Sequence, residues 1–143
     1  MIIPDLNLLL YAHDATSPHH RAAIAWWEGC INGAEPVGLP HVVIFGFLRL
    51  ATSGRVFVSP MSIEEAVGCV RTWLERPHVV EAEGGTEHVS SVVDLLLQSG
   101  SAGNLSTDAQ IAAVALHHGA TLFTNDSDFR RFPGVRTRNP LAR

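Results

Sequence analysis

The strongest constraint on the fold is an alternation of very short apolar segments with longer stretches of helical period. Residues 1–4, 37–39, 79–80, 121–124 and 135–137 are short and compatible with β structure. The stretches between them carry apolar residues at helical spacing, such as Ala22, Ile24, Ala25, Trp26 and Trp27. Helix boundaries follow from local chemistry. A first helix is expected over residues 6–13, and a second opens near Pro18 and stops at Gly33. Pro40 opens a third that runs through Ala51, with Gly54 beyond its end. A fourth follows the cap candidate Ser62 and runs from Ile63 to Arg76, before Pro77. Residues 87–98 form a fifth, ended by Gly100. Thr107-Asp108-Ala109-Gln110 matches a capping box, so a helix is expected to open there and end at Gly119. A short helix is expected over 127–132. Strands this short and apolar, alternating with helices, predict an α/β fold with a parallel sheet covered on both faces.

Hydrophobic residues make up 46% and charged residues 17% of the 143 positions, which is globular composition sufficient for one domain spanning 1–143. A formal net charge of −4 gives no general attraction to nucleic acid, so any such binding needs a local basic patch or bound cations. All ten basic residues are arginine. Arginine forks around phosphate, although codon usage accounts for the bias equally well. Cys30 and Cys69 match no metal spacing and read as free thiols of a reducing cytosol. The opening Met1-Ile2-Ile3-Pro4-Asp5 lacks the pattern of a signal peptide. The apolar run 42–48 is too short to cross a bilayer, so a cytoplasmic location with no membrane partner is expected.

Chemistry concentrates in four aspartates. Asp5 follows the first strand directly, and Asp126 and Asp128 follow the strand at 121–124. Ligands in open α/β sheets bind outside the carboxyl ends of the strands. Asp108 is expected at the first helical position after Thr107, where the helix dipole favours its ionised form. Carboxylates gathered in one pocket repel one another, and a hard divalent cation relieves that repulsion. Oxygen-only ligands suit Mg²⁺ or Mn²⁺ over zinc. Such ions can activate water against a phosphodiester. Each aspartate also has a plain alternative: Asp5 and Asp128 as helix caps, Asp108 as a helix N-terminal charge, Asp126 as turn chemistry.

The motifs resemble those of a known family. Asp5-Leu6-Asn7 is similar to the opening motif of PIN domains. Ser106 to Ala113 resembles their aspartate-bearing helix, and Thr124-Asn125-Asp126-Ser127-Asp128-Phe129 resembles their closing acidic turn. His19-His20 and Phe47-Leu48-Arg49-Leu50-Ala51-Thr52 resemble one branch of the VapC toxins. The resemblance spans nearly the whole chain in order. It implies a PIN-like three-layer α/β/α sandwich on a five-stranded parallel sheet. It implies Mg²⁺- or Mn²⁺-dependent cleavage of RNA (tRNA, rRNA or mRNA) to 5′ phosphate and 3′ hydroxyl ends. A VapB-type antitoxin and a homodimer are the implied partners. Asp5, Asp108 and Asp126 would be the metal ligands, with Asp128 acting near them or through water. Asn7 would orient Asp5. One position departs from the pattern: many PIN domains carry a glutamate in the helix after the second strand, where Gly46 stands here.

Weaker features complete the reading. Arg130 and Arg131, with Arg136 and Arg138, follow the acidic turn and can hold an RNA backbone, or form a solvated face. His13-Asp14 can serve general-acid chemistry or sit at a helix end. His19-His20 and His117-His118 are adjacent pairs, poor chelators on a helix. Trp26, Trp27 and Trp73 suit core packing better than base stacking. Two other classes compete with a nuclease: a PIN-fold module that only binds antitoxin or RNA, and a phosphoacceptor receiver domain. The receiver reading needs a lysine near its aspartates, and the chain has none.

Overall fold

The computed structural model describes residues 1–142. Five strands form one parallel sheet: β1 (Ile2–Pro4), β2 (Val37–Pro40), β3 (Val79–Ala82), β4 (Thr121–Phe123) and β5 (Arg136–Arg138), in the order β3-β2-β1-β4-β5. Helices α1 (Leu6–His13) and α2 (His20–Asn32) connect β1 to β2, and α3 (His41–Ala51) and α4 (Ile63–Leu74) connect β2 to β3. Helices α5 (His88–Ser99) and α6 (Leu105–His118) carry the chain back across the sheet to β4, and a short 3₁₀ turn, Ser127–Arg131, leads to β5. The first connections step outward from β1 in one direction and the later ones in the other. Right-handed crossovers then place α1–α4 on one face and α5–α6 on the opposite face. The expected three-layer α/β/α sandwich with five parallel strands is the observed architecture.

The order of strands reverses between β1 and β4. At such a switch point the crossover helices diverge to opposite faces and leave a crevice at the carboxyl ends of the strands. The register fixes that crevice: Ile2, Ile3 and Pro4 pair with Thr121, Leu122 and Phe123. Ile3, Leu9, Leu39, Val43, Ile111 and Leu122 are fully buried around the sheet. The tryptophans belong to this core. Trp73 meets Trp27 edge-on at 5.4 Å and Phe47 at 4.9 Å, a geometry that aromatic quadrupoles favour.

Local signals explain the start of α4 and the ends of α5 and α6. Ser62 accepts from the Glu65 amide while Glu65 accepts from the Ser62 amide, each at 3.1 Å, a reciprocal cap for α4. Gly100 and Gly119 end α5 and α6 in the left-handed conformation, at φ of 76° and 59°. The expected start of α6 needs correction. It begins at Leu105, so Thr107 and Asp108 lie within its first turns and Thr107 does not cap it. Leu105 is buried and anchors an earlier turn, and Gln110 bonds the Ser106 carbonyl at 3.2 Å. Helix α2 likewise opens at His20, two residues past Pro18. No helix among the described residues is long and apolar enough to cross a membrane.

Candidate metal centre

The backbone ladder between β1 and β4 continues past the strands and sets the first two side chains. The Asp5 amide donates to the Phe123 carbonyl at 2.8 Å, and the Thr124 amide donates to the Arg138 carbonyl at 2.9 Å. Among the described residues, Asp5 and Thr124 are the two buried polar ones, 2% and 4% exposed. Thr124 Oγ1 donates to Asp5 Oδ2 at 2.8 Å and accepts from the Asp126 amide at 2.9 Å. Asp126 Oδ1 in turn accepts from the Asp128 amide at 2.8 Å and so caps the 3₁₀ turn. The cap is therefore Asp126 and not Asp128. These bonds bend the chain after β4 so that it presents two carboxylates.

Helix α6 brings the other acid. Carboxylate oxygens of Asp108, Asp126 and Asp128 lie within 4.8 Å of one another. Asp5 adjoins this trio, since its charge raises the pKa of Asp108 and the charge of Asp126 raises its own. Burial chiefly lifts Asp5 to about 6, with Asp126 adding to the shift and the Thr124 hydrogen bond opposing it. Burial also chiefly lifts Asp108 to about 7, followed by the charges of Asp5, Asp126 and Asp128. Asp108 lies in the first turn of α6, where the dipole favours its charge, but burial and three like charges act the other way and raise its pKa.

The donor set is oxygen alone, partly desolvated and mutually repelling. Those are properties that a hard divalent cation satisfies, so the residues fit one.

The other candidates fall in different places. Asn7 is exposed on the first turn of α1, and Thr124 is the side chain that fixes Asp5. Thr124 escaped the sequence reading because a threonine at a strand end reads as ordinary β structure; its place one residue before Asn125-Asp126 was the available signal. Arg130 and Arg131 are exposed beside the acids, with Arg131 Nε 3.8 Å from Asp128 Oδ1. A pair so open to solvent contributes little to stability. Arg138 lies 6.0 Å over the ring of Phe123, which stacks on Trp26 at 5.5 Å.

His13-Asp14 lies at the far end of α1, roughly 12 Å along the axis from Asp5. The His13 ring donates to the Leu9 carbonyl at 2.8 Å and packs on Phe47 and Trp73. His20 bonds the Tyr11 carbonyl, His19 packs on Tyr11, and His118 bonds the Glu83 carbonyl. Gly46 is buried in α3, and a Cβ there would meet Leu6 Cδ2 at 2.6 Å. Its glycine permits α1 and α3 to approach closely.

The PIN domain family matches residues 2–135. The chain is 43% identical to Ribonuclease VapC33 of Mycobacterium tuberculosis over 141 residues, covering 99% of both. It is 39% identical to Ribonuclease VapC37 of the same organism over 142 residues, again covering 99% of both. Among solved structures, M. tuberculosis VapC20, a Sarcin-Ricin loop cleaving toxin, superposes with a TM-score of 0.69 at 19% identity, covering 95% of this chain and 99% of that one. VapBC-1 from nontypeable Haemophilus influenzae gives 0.67 at 20% identity, covering 99% and 100%. The fold, the acidic crevice at its switch point and the full-length likeness agree: this chain belongs to the PIN domain family, in its VapC ribonuclease branch.

Proposed function

We propose that residues 1–143 act as one PIN domain, the toxin of a type II toxin-antitoxin system, and that it is a Mg²⁺-dependent endoribonuclease, with Mn²⁺ able to substitute. The observation that carries this reading is the convergence of Asp108, Asp126 and Asp128 within 4.8 Å beside the buried Asp5. A divalent cation bound there supplies positive charge to a scissile phosphate and lowers the pKa of water. Asp5, Asp108 and Asp126 hold it, and Asp128 acts beside them or through water. Thr124 holds Asp5 in place. Arg130 and Arg131 hold the RNA backbone beside the acids, so no side-chain nucleophile is required. A VapB-type antitoxin is the proposed partner, in line with the VapBC neighbours, together with a homodimer and a cytoplasmic location.

Four carboxylates at one crevice favour cleavage over a module that only binds, despite Gly46. Incubating the purified protein with RNA in chelator, Mg²⁺ and Mn²⁺ tests this. Cleavage is expected only with a cation and is expected to vanish in a folded Asp108→Asn variant. Equal activity in chelator would remove the metal from the reading. Failure to cut any RNA with either cation would favour the binding module.

A further inference from the structure

A cavity of about 320 Å³ opens beside the acidic crevice, within the size range of small-molecule sites. Register fixes its place. Ile2 pairs with Val37, so Asp5, three residues on, aligns with Pro40, and Pro40 pairs with Ala82. Adjacent strands lie about 4.8 Å apart. The cavity, lined by Pro40 and Ala82 among others, therefore begins one strand away from Asp5. On α6, its lining residue Gln110 follows Asp108 by two positions, so it sits roughly 3 Å further along the axis and on the opposite side of the helix.

The lining has a defined chemistry. Pro40 and Val42 give it apolar walls, and the ring of His88 packs closely over Gly84 to form another side. Its polar side chains are Glu83 and Gln110 together with the rings of His41 and His88. Glu83 can only accept when ionised, and its Oε1 lies 3.4 Å from His41 Nε2. Gln110 gives one of its two amide N–H groups to the Ser106 carbonyl at 3.2 Å, which leaves the other to donate and Oε1 to accept. Glu81, bonded to His41 at 2.8 Å, adds negative charge nearby. The carboxylates of Glu81 and Glu83 disfavour a phosphate here, and a flat, neutral ring that carries N–H donors suits Glu83.

We propose that this cavity is a nucleobase pocket. It takes the base of a nucleotide next to the scissile phosphate and selects bases with an exocyclic amine over uracil, through Glu83 and Gln110. The proposal rests on the ribonuclease reading above for its biological sense, but its binding test does not. The full chain, in metal-free buffer, is titrated with adenosine, cytidine and uridine while the Gln110 side-chain amide and His88 ring signals are followed by NMR. Adenosine or cytidine should shift both sets of signals, with uridine at least about fivefold weaker, the low end for one good base contact. The preference should disappear in Gln110→Leu and in Glu83→Gln. No shift with any nucleoside, or equal response to uridine, overturns the proposal.

A second readout separates the two readings. Sequencing the ends produced from a randomised RNA should show a base preference next to the cut that Glu83→Gln weakens. A wild-type protein that does not cut defeats the nuclease reading, and the titration still decides the pocket. Cutting with an unchanged preference in both variants defeats the pocket alone.

Discussion

Thr124 Oγ1 donates a 2.8 Å hydrogen bond to Asp5 Oδ2 and so joins side chains 119 residues apart in the sequence. Both are buried, so little water is at hand to replace the bond. Hydrogen bonds to charged groups contribute about 1.5–3 kcal/mol. Thr124→Val is expected to lose about that much stability at pH 8, where Asp5 is ionised, and distinctly less at pH 5, where it holds a proton. RNA cleavage should fall with it, and Thr124→Ser should recover both. Denaturant titrations at the two pH values check this; an equal loss at both would reduce Thr124 to a packing residue.

Asp5 and Asp108 give the metal-free protein an unusual pH response. Their folded pKa values, about 6 and about 7, stand above the ordinary aspartate value of 3.8. Between pH 4 and 7 the folded state therefore binds more protons than the unfolded state, and their contribution to stability falls as pH rises. For the buried Asp5 the shift corresponds to roughly 3 kcal/mol. His13 opposes this trend: burial lowers its pKa, so its contribution falls as pH drops below 6.5. Comparing Asp108→Asn with the parent cancels His13. In metal-free buffer the variant should equal the parent near pH 4 and melt above it at pH 8. Mg²⁺ at a hundredfold excess over its dissociation constant should stabilise the parent by about 2.7 kcal/mol and the variant by less. A variant that melts below the parent at pH 8 without metal would mean that the carboxylates do not strain one another.

Arg130 and Arg131 are exposed and follow the acidic turn directly, and Arg131 Nε lies 3.8 Å from Asp128 Oδ1. Replacing both with alanine should weaken RNA binding and flatten the slope of log affinity against log salt by about 1.4, the value for two single-strand phosphate contacts. Metal binding should not change. Filter binding across a salt series measures the slope, and an unaltered value would return both residues to the solvated surface.

Gly46 holds the place where many PIN domains have a glutamate, and here a Cβ would lie 2.6 Å from Leu6 Cδ2. Gly46→Ala should change stability by no more than about 1 kcal/mol, because the roughly 0.5–1 kcal/mol of helix propensity it gains offsets the shift it forces on the terminal methyl of Leu6. Gly46→Glu should lower the melting temperature by more and bring no tighter Mg²⁺ binding. Thermal melts and calorimetric titration decide between these outcomes. Tighter binding by a folded Gly46→Glu protein would show that position 46 reaches the acids after all.

The parallel sheet and the order of its helices were legible because buried strands and amphipathic helices write different periods into a sequence. Asp5, Asp126 and Asp128 were legible because strand ends can be located to within a residue or two. The start of α6 was not. A threonine three residues before a glutamine fits a capping box, and nothing local reveals that Leu105 is buried and pulls the helix start back. The protonation of Asp108 was hidden for a related reason, since it depends on charges from β1 and β4 that meet it only in the fold. Thr124 and the cavity beside Pro40 are likewise properties of the assembled sheet edge.

The three residues of β5, Arg136, Thr137 and Arg138, are all exposed on the last strand of the sheet. A strand in that position offers unpaired amides and carbonyls to any extended chain, a template for fibril growth. Here it is short, and guanidinium groups stand at both ends. A second copy laid alongside in register would set like charges against each other. Arg136 and Arg138 thus disfavour growth from an open sheet edge, a duty separate from any RNA that Arg130 and Arg131 hold.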